Sequence, residues 1–112
     1  MHEYSIAYDL YATARTAARE HKANAVKKVT VEVGKLSMVN PEQVIFLFDI
    51  IKEEDPLFVH AVLECHNIDP QTTCRCGYTG TEIFVCPVCG ALPELVKGRE
   101  IVVTNVEIEV DD

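Results

Sequence analysis

The stretch that decides the fold runs from residue 28 to residue 51, KVTVEVGKLSMVNPEQVIFLFDII. Val29, Val31 and Val33 alternate with Lys28, Thr30 and Glu32. That is the period of a β-strand with one buried and one wet face, and Gly34 closes it. Asn40-Pro41-Glu42-Gln43 then opens a helix. Asn40 is a good N-cap, Pro41 suits the first helical position, and Gln43 stands at the capping-box position. Val44, Leu47, Phe48 and Ile51 give this helix an apolar stripe, widened by Ile45, Phe46 and Ile50, and Glu53-Glu54-Asp55-Pro56 ends it. A second strand follows from Ala61 to Ile68, with Ala61, Leu63 and Cys65 on one face and Val62, Glu64 and His66 on the other. Strand, helix, strand in this order implies a right-handed crossover between parallel strands.

Upstream, Ala7, Leu10, Tyr11, Ala14 and Ala18 recur at helical spacing between Glu3 and about Lys22, with Arg15, Arg19, Glu20 and Lys22 for the wet face. Downstream, Glu100 to Val110 reads as a long strand, in which Val102, Thr104, Val106, Ile108 and Val110 oppose Glu107 and Glu109. This last strand needs a core and must return to the first sheet. The reading is an α+β fold, two helices packed on one face of a small three-stranded mixed sheet. Residues 1–69 and 99–112 form the helix–sheet domain, and residues 70–98 form an inserted module attached at Pro70 and Gly98.

The chain has 112 residues and a formal net charge of −8. This length suits one compact domain with a small appendage. The acidic excess excludes a nucleic-acid binder, which needs Lys and Arg to neutralise phosphates, and disfavours an anionic membrane surface. No stretch approaches the ~18 apolar residues of a membrane span. Met1-His2-Glu3-Tyr4 has neither the basic nor the apolar segment of a secretory signal. A cytoplasmic protein is expected.

The five cysteines are Cys65, Cys74, Cys76, Cys86 and Cys89. An odd number, in a chain without a secretion signal, is a poor disulfide framework. Cys86-Pro87-Val88-Cys89-Gly90 has the form of a metal knuckle, a turn that aims two thiolates at one ion. Cys74-Arg75-Cys76-Gly77 is one residue shorter than the usual form. Thr81 to Val85 reads as a strand feeding the second knuckle. The module is read as a zinc ribbon in which Cys74, Cys76, Cys86 and Cys89 close a structural Zn(II) site. His66 and Cys65 precede it by few residues and stand as alternative ligands; alternation places Cys65 on the core face as an inert thiol. A redox pair at Cys86 and Cys89 would need a thioredoxin-like pattern, which is absent. His21 and His60 read as solvated, Glu53-Glu54-Asp55 as a wet helix end, and Asp111-Asp112 as an acidic tail.

The N-terminus carries a second metal-binding possibility. The Met1 amine, the amide of His2 and its imidazole can close fused chelate rings, and a plane of nitrogens suits Ni(II) or Cu(II). Glu3 can assist from the outer shell.

On these residues the chain resembles the HypA family of nickel metallochaperones, maturation factors of hydrogenase and urease. The resemblance rests on Met1-His2-Glu3-Tyr4-Ser5, Val33-Gly34-Lys35-Leu36-Ser37, Asn40-Pro41-Glu42, Ala61-Val62-Leu63-Glu64, the paired cysteines and Val106-Glu107-Ile108-Glu109. It spans essentially the whole chain. It implies nickel as cargo on His2, with the Met1 amine and Glu3, and zinc on Cys74, Cys76, Cys86 and Cys89. This sequence departs from the family in two places. The first cysteine pair is C-x-C where the family has C-x-x-C, and Asn40 stands where a carboxylate can supplement the nickel site. The resemblance further implies a HypB-type GTPase partner, and a nickel–iron hydrogenase large subunit or urease maturation proteins as recipients. The chain has no P-loop and no nucleophilic triad, so it is read as a carrier and not an enzyme. The competing reading is a zinc-ribbon interaction adaptor that transports no metal.

Overall fold

The computed structural model describes residues 2–111, and of His2 the backbone alone. The expectations for the Met1 amine, the His2 imidazole and Asp112 lie outside the described residues.

Helix α1 spans His2–Glu20 and strand β1 spans Ala25–Gly34. A short 3-10 helix, Lys35–Ser37, leads to α2, Pro41–Lys52, and a second one, Pro56–Phe58, leads to β2, Val62–Ile68. Asn40 caps α2 as its sequence demands, accepting from the Glu42 and Gln43 N–H groups at 3.0 and 3.4 Å. Strand β6, Ile101–Glu109, ends the fold, and the sheet order is β2-β1-β6. β1 pairs with β2 in parallel and with β6 antiparallel. This is the three-stranded mixed sheet the sequence leads one to expect.

The helices cover one face of the sheet. Ala7, Leu10, Ala14 and Ala18 of α1 and Val44 and Phe48 of α2 are buried against Val26, Val29, Val31 and Val33 of β1. Alanine at three of the four α1 positions lets the helix lie close to the sheet. Phe58 locks the helix layer at one end. Its ring packs edge-on against Tyr11 at 4.9 Å and Phe48 at 6.2 Å. Beside it the Tyr11 hydroxyl donates to Asp55 at 2.6 Å, and the Arg15 guanidinium lies 3.4 Å from the same oxygen. The opposite face of the sheet is wet and charged, with Lys28 bridging to Glu64 at 3.3 Å and Lys97 to Glu32 at 3.4 Å.

Two β-bulges correct the expected strand faces. β1 begins at Ala25, three residues before the visible alternation, because its register on β6 shifts between Val26 and Lys28. Lys27 is the extra residue, so Val26 and Val29 both reach the core. On β6 the register shifts between the pairs Thr30↔Asn105 and Val31↔Val103, leaving Thr104 over. One extra residue reverses the alternation. Ile101, Val103, Val106 and Ile108 therefore pack on the core, whereas Val102 and Thr104, expected beside Val106, face outward. Thr104 donates its hydroxyl to the Thr30 carbonyl instead, at 3.3 Å.

Between β2 and β6 the chain builds a second sheet from β3, Gln71–Thr73, β4, Thr79–Gly80, and β5, Glu94–Lys97, in the order β4-β3-β5. The strand expected over Thr81 to Val85 does not form. The buried Thr72 hydroxyl reaches the carbonyls of Gly80, at 3.3 Å, and Glu82, at 2.8 Å, and this draws the chain into a turn. The partner of β3 on its other side is β5, whose alternation is too short to read from sequence. The two sheets meet at closely packed backbone. Leu36 N–H donates to the Gly98 carbonyl at 2.8 Å, and a Cβ on Gly34 would lie 2.2 Å from that oxygen. Gly98 has a φ of +123°, and a Cβ there would lie 2.7 Å from the Cα of Pro70.

Candidate metal centre

Strand β3 delivers the chain into Cys74, where a tight turn forms. Cys74 N–H donates to the Tyr78 carbonyl, and Gly77 N–H to the Cys74 carbonyl, both at 2.9 Å. Twelve residues after Cys74, Cys86 N–H donates to the Ala91 carbonyl at 2.7 Å, and Gly90 N–H to the Cys86 carbonyl at 2.9 Å. Each turn closes on a glycine with positive φ, +99° at Gly77 and +80° at Gly90. The short C-x-C pair thus forms a knuckle comparable to that of the C-x-x-C pair.

The turns face each other. Cys74 Sγ lies 3.4 Å from Cys89 Sγ, and Cys76 Sγ lies 3.6 Å from Cys86 Sγ. All four sulfurs fall within 4.8 Å of one another. A tetrahedral zinc–thiolate cage, with metal–sulfur bonds of ~2.3 Å, has sulfur–sulfur edges of about 3.8 Å. The donor set fits that cage. Its electrostatics also call for a cation. Burial pushes the Cys86 thiol up, but the N–H groups of Cys89 and Val88 and the Cys76 and Cys74 thiols outweigh it, bringing it down to about 6. The Ala91 N–H favours the Cys89 thiolate, yet the Cys74 and Cys76 thiols oppose it and drive the group up to about 12. Clustered thiolates repel one another, and a bound dication would offset that repulsion.

The four sulfurs are unequally covered. Cys86 is buried, Cys74 is half-buried, and Cys76 and Cys89 are exposed. Cys74 and Cys89 form part of the wall of an open cleft of about 620 Å³, shared with Arg75, Leu92 and Glu94.

The other two candidate ligands are not brought to this site. His66 Nε2 sits 2.8 Å from Glu64 on the wet face of β2. Hydrogen bonding from His66 and then Lys28 holds the Glu64 carboxyl below its usual range. Cys65 is half-buried against the core, and burial pushes its thiol up. The four-cysteine group is the one cluster of three or more metal-ligating side chains among the described residues.

Glu3 stands in the first turn of α1. It lines a separate cleft of about 440 Å³ with Ser5, Ile6, Ser37, Met38, Val39, Arg99 and Ile101. Ser37, Met38 and Arg99 carried no sequence signal for this role. They come from two loops that only the tertiary fold joins to α1. Asn40, which stands at the position of a possible supplementary carboxylate, commits its side-chain oxygen to the α2 cap.

Comparison with known proteins agrees with this architecture. A family model described as hydrogenase/urease nickel incorporation, metallochaperone, hypA matches residues 1–108. The chain is similar to the hydrogenase maturation factor HypA of Methanocella arvoryzae, with 40% identity over 114 residues covering 98% of this chain and all of that one. It is 34% identical to the HypA of Methanosarcina barkeri over 132 aligned positions, covering 100% of this chain and 98% of the relative. Among solved structures, the solution structure of the nickel metallochaperone HypA from Helicobacter pylori superposes with a TM-score of 0.76 at 21% identity, covering 97% of this chain and 98% of that one. A second HypA solution structure gives 0.78 at 22%, covering 99% and 98%. At these identities the structural likeness speaks for the fold alone.

Proposed function

The chain belongs to the HypA family of hydrogenase-maturation nickel metallochaperones, and from that premise we propose that it carries Ni(II) on its N-terminus for delivery to a nickel–iron hydrogenase. His2 is the principal ligand, through its amide and imidazole, with the Met1 amine; Glu3 assists. The observation that carries this reading is that His2 and Glu3 lie in the first turn of α1 as described. The first N–H groups of a helix have no intrahelical partner. The amides of His2 and Glu3 are therefore free to lose a proton to a metal without breaking a helical hydrogen bond.

Transfer by ligand exchange requires an accessible ion. The cleft beside Glu3 leaves room for an incoming acceptor side chain. With no P-loop in the sequence, the nucleotide energy comes from a HypB-type GTPase partner, and the recipient is the hydrogenase large subunit or a urease maturation protein. The setting is the cytoplasm; no described helix is long and apolar enough to cross a membrane.

Residues 70–98 form the second unit of this reading. Cys74, Cys76, Cys86 and Cys89 hold Zn(II), which neutralises the clustered thiolates and ties two loops that share almost no apolar core. No open coordination position is left for chemistry, so the chain acts as a carrier and not an enzyme.

One observation favours the adaptor reading. Phe84, Val88 and Leu92 are each more than two-thirds exposed on the cysteine module, as a protein-docking surface would be. Metal analysis of untagged protein before and after nickel addition separates the two. A carrier holds zinc as isolated and takes up further nickel without losing it. An adaptor holds zinc and binds no nickel.

A further inference from the structure

The uneven covering of the four sulfurs has a chemical consequence. Cys74 and Cys89 are the closer pair, at 3.4 Å, and both face the 620 Å³ cleft. Cys76 and Cys86 are 3.6 Å apart, and one of them, Cys86, is buried to 1% exposure with its sulfur accepting the Val88 N–H at 3.4 Å. Cys76 is exposed as well, but it does not line that cleft and its nearest sulfur is the buried Cys86, so a small oxidant entering the cleft meets the Cys74–Cys89 edge first.

We propose that Cys74 and Cys89 form a peroxide-oxidisable edge of the zinc site, converting to a disulfide and releasing the metal while Cys76 and Cys86 stay reduced. The inference goes beyond metal carriage and rests on the four-thiolate zinc reading. The Cys89 thiolate, the exposed member, attacks one oxygen of hydrogen peroxide. The O–O bond breaks, leaving Cys89 as a sulfenic acid and a hydroxide that takes up a proton to become water. The Cys74 thiolate then attacks the Cys89 sulfur, the S–O bond breaks, and a second hydroxide leaves and is protonated. In total two thiolates, one peroxide and two protons give one disulfide and two waters, with the two electrons passing from sulfur to peroxide. The gap the sulfurs must close is from 3.4 Å to a disulfide length of ~2.05 Å, which local turn movement can supply. Two thiolates remain, too few to retain zinc in this exposed cage.

The test uses the full chain, zinc-loaded and untagged, titrated anaerobically with hydrogen peroxide. A chromogenic chelator reads zinc release, and peptide mass mapping under alkylation reads the disulfides. At half-oxidation the Cys74–Cys89 disulfide should exceed the Cys76–Cys89, Cys76–Cys86 and Cys86–Cys89 pairings by about tenfold, as expected of an edge selected by access through the cleft. Zinc should appear in step with it, and dithiothreitol plus zinc should restore the starting material. A first disulfide at Cys76–Cys89, the pair of exposed sulfurs, at Cys76–Cys86, or within the Cys86–Cys89 knuckle overturns the inference. So does zinc release with sulfinic acids and no disulfide. Protein isolated without zinc overturns the zinc reading itself, a failure recognised before any peroxide is added.

Discussion

The α1 helix that carries the N-terminal segment is pinned at its middle by one carboxylate. Asp55 is largely covered, and its oxygens accept from the Tyr11 hydroxyl at 2.6 Å and the Leu57 N–H at 3.0 Å, with Arg15 at 3.4 Å. Removing the hydroxyl by Tyr11→Phe takes away one hydrogen bond to a charged group, worth about 1.5–3 kcal/mol. Asp55 keeps its other partners, so the low end, about 1.5 kcal/mol, applies. Asp55→Ala removes the same bond, the cap on residues 56–58 worth about 1 kcal/mol, and the half-exposed Arg15 pair worth at most about 0.5. It should cost roughly 3 kcal/mol in all. The double variant should cost less than the sum, by about the 1.5 kcal/mol of the shared bond. Urea unfolding followed at 222 nm with zinc in excess measures all three. The same triad has an optical signature. Burial, then the bond to Asp55 and its charge, raise the Tyr11 phenol to about 12. A raised phenol favours the folded state while it stays protonated. Its contribution is intact below about pH 10 and is lost as pH rises from about 10 to about 12. Phenolate absorbance in Asp55→Asn should show Tyr11 titrating earlier but not fully restored, because burial remains. Single-variant costs below about 0.5 kcal/mol, or additivity in the double variant, would refute the reasoning.

Cys86→Ala should release zinc and disorder residues 73–98 while the helix–sheet signal largely survives, as zinc analysis and near- and far-ultraviolet circular dichroism will show. Gly98→Ala should loosen the junction between the sheets, since its φ of +123° disfavours a side chain and the new Cβ would meet Pro70; faster limited proteolysis within 70–98 is the readout. Nickel affinity should fall steeply from about pH 7.5 to about pH 6, because imidazole and amine must lose protons to ligate; calorimetry in buffers of different ionisation enthalpy should show proton release on binding.

The fold was legible where the period was unbroken. β1 from Val29 to Val33, the α2 cap at Asn40 and the two faces of β2 follow from residue type alone. The errors fall where tertiary pairing overrides the pattern. The bulge at Thr104 exists because β6 must match β1, and no local feature of β6 announces it. The strand expected at Thr81 to Val85 has the right composition, but the Thr72 hydroxyl takes the carbonyls of residues 80 and 82. The cysteine cluster was legible because turn chemistry is local: each knuckle carries its own glycine. The cleft beside Glu3 was not, because Met38 and Arg99 lie far from it along the chain.

The central claim is that the first residues of the chain hold nickel, and the start of the chain is the place to test it. A single residue added before Met1 turns its amine into a peptide nitrogen and moves the new amine out of the chelate ring. His2→Ala removes the imidazole. Nickel titration of these two proteins, beside the untagged chain and one extended only at the C-terminus, isolates the site. Both N-terminal changes should abolish tight nickel binding with zinc content and circular dichroism unchanged, and the C-terminal extension should be silent. An N-terminally extended chain that binds nickel as tightly as the untagged one would contradict the account and move the site to His21, His60 or His66.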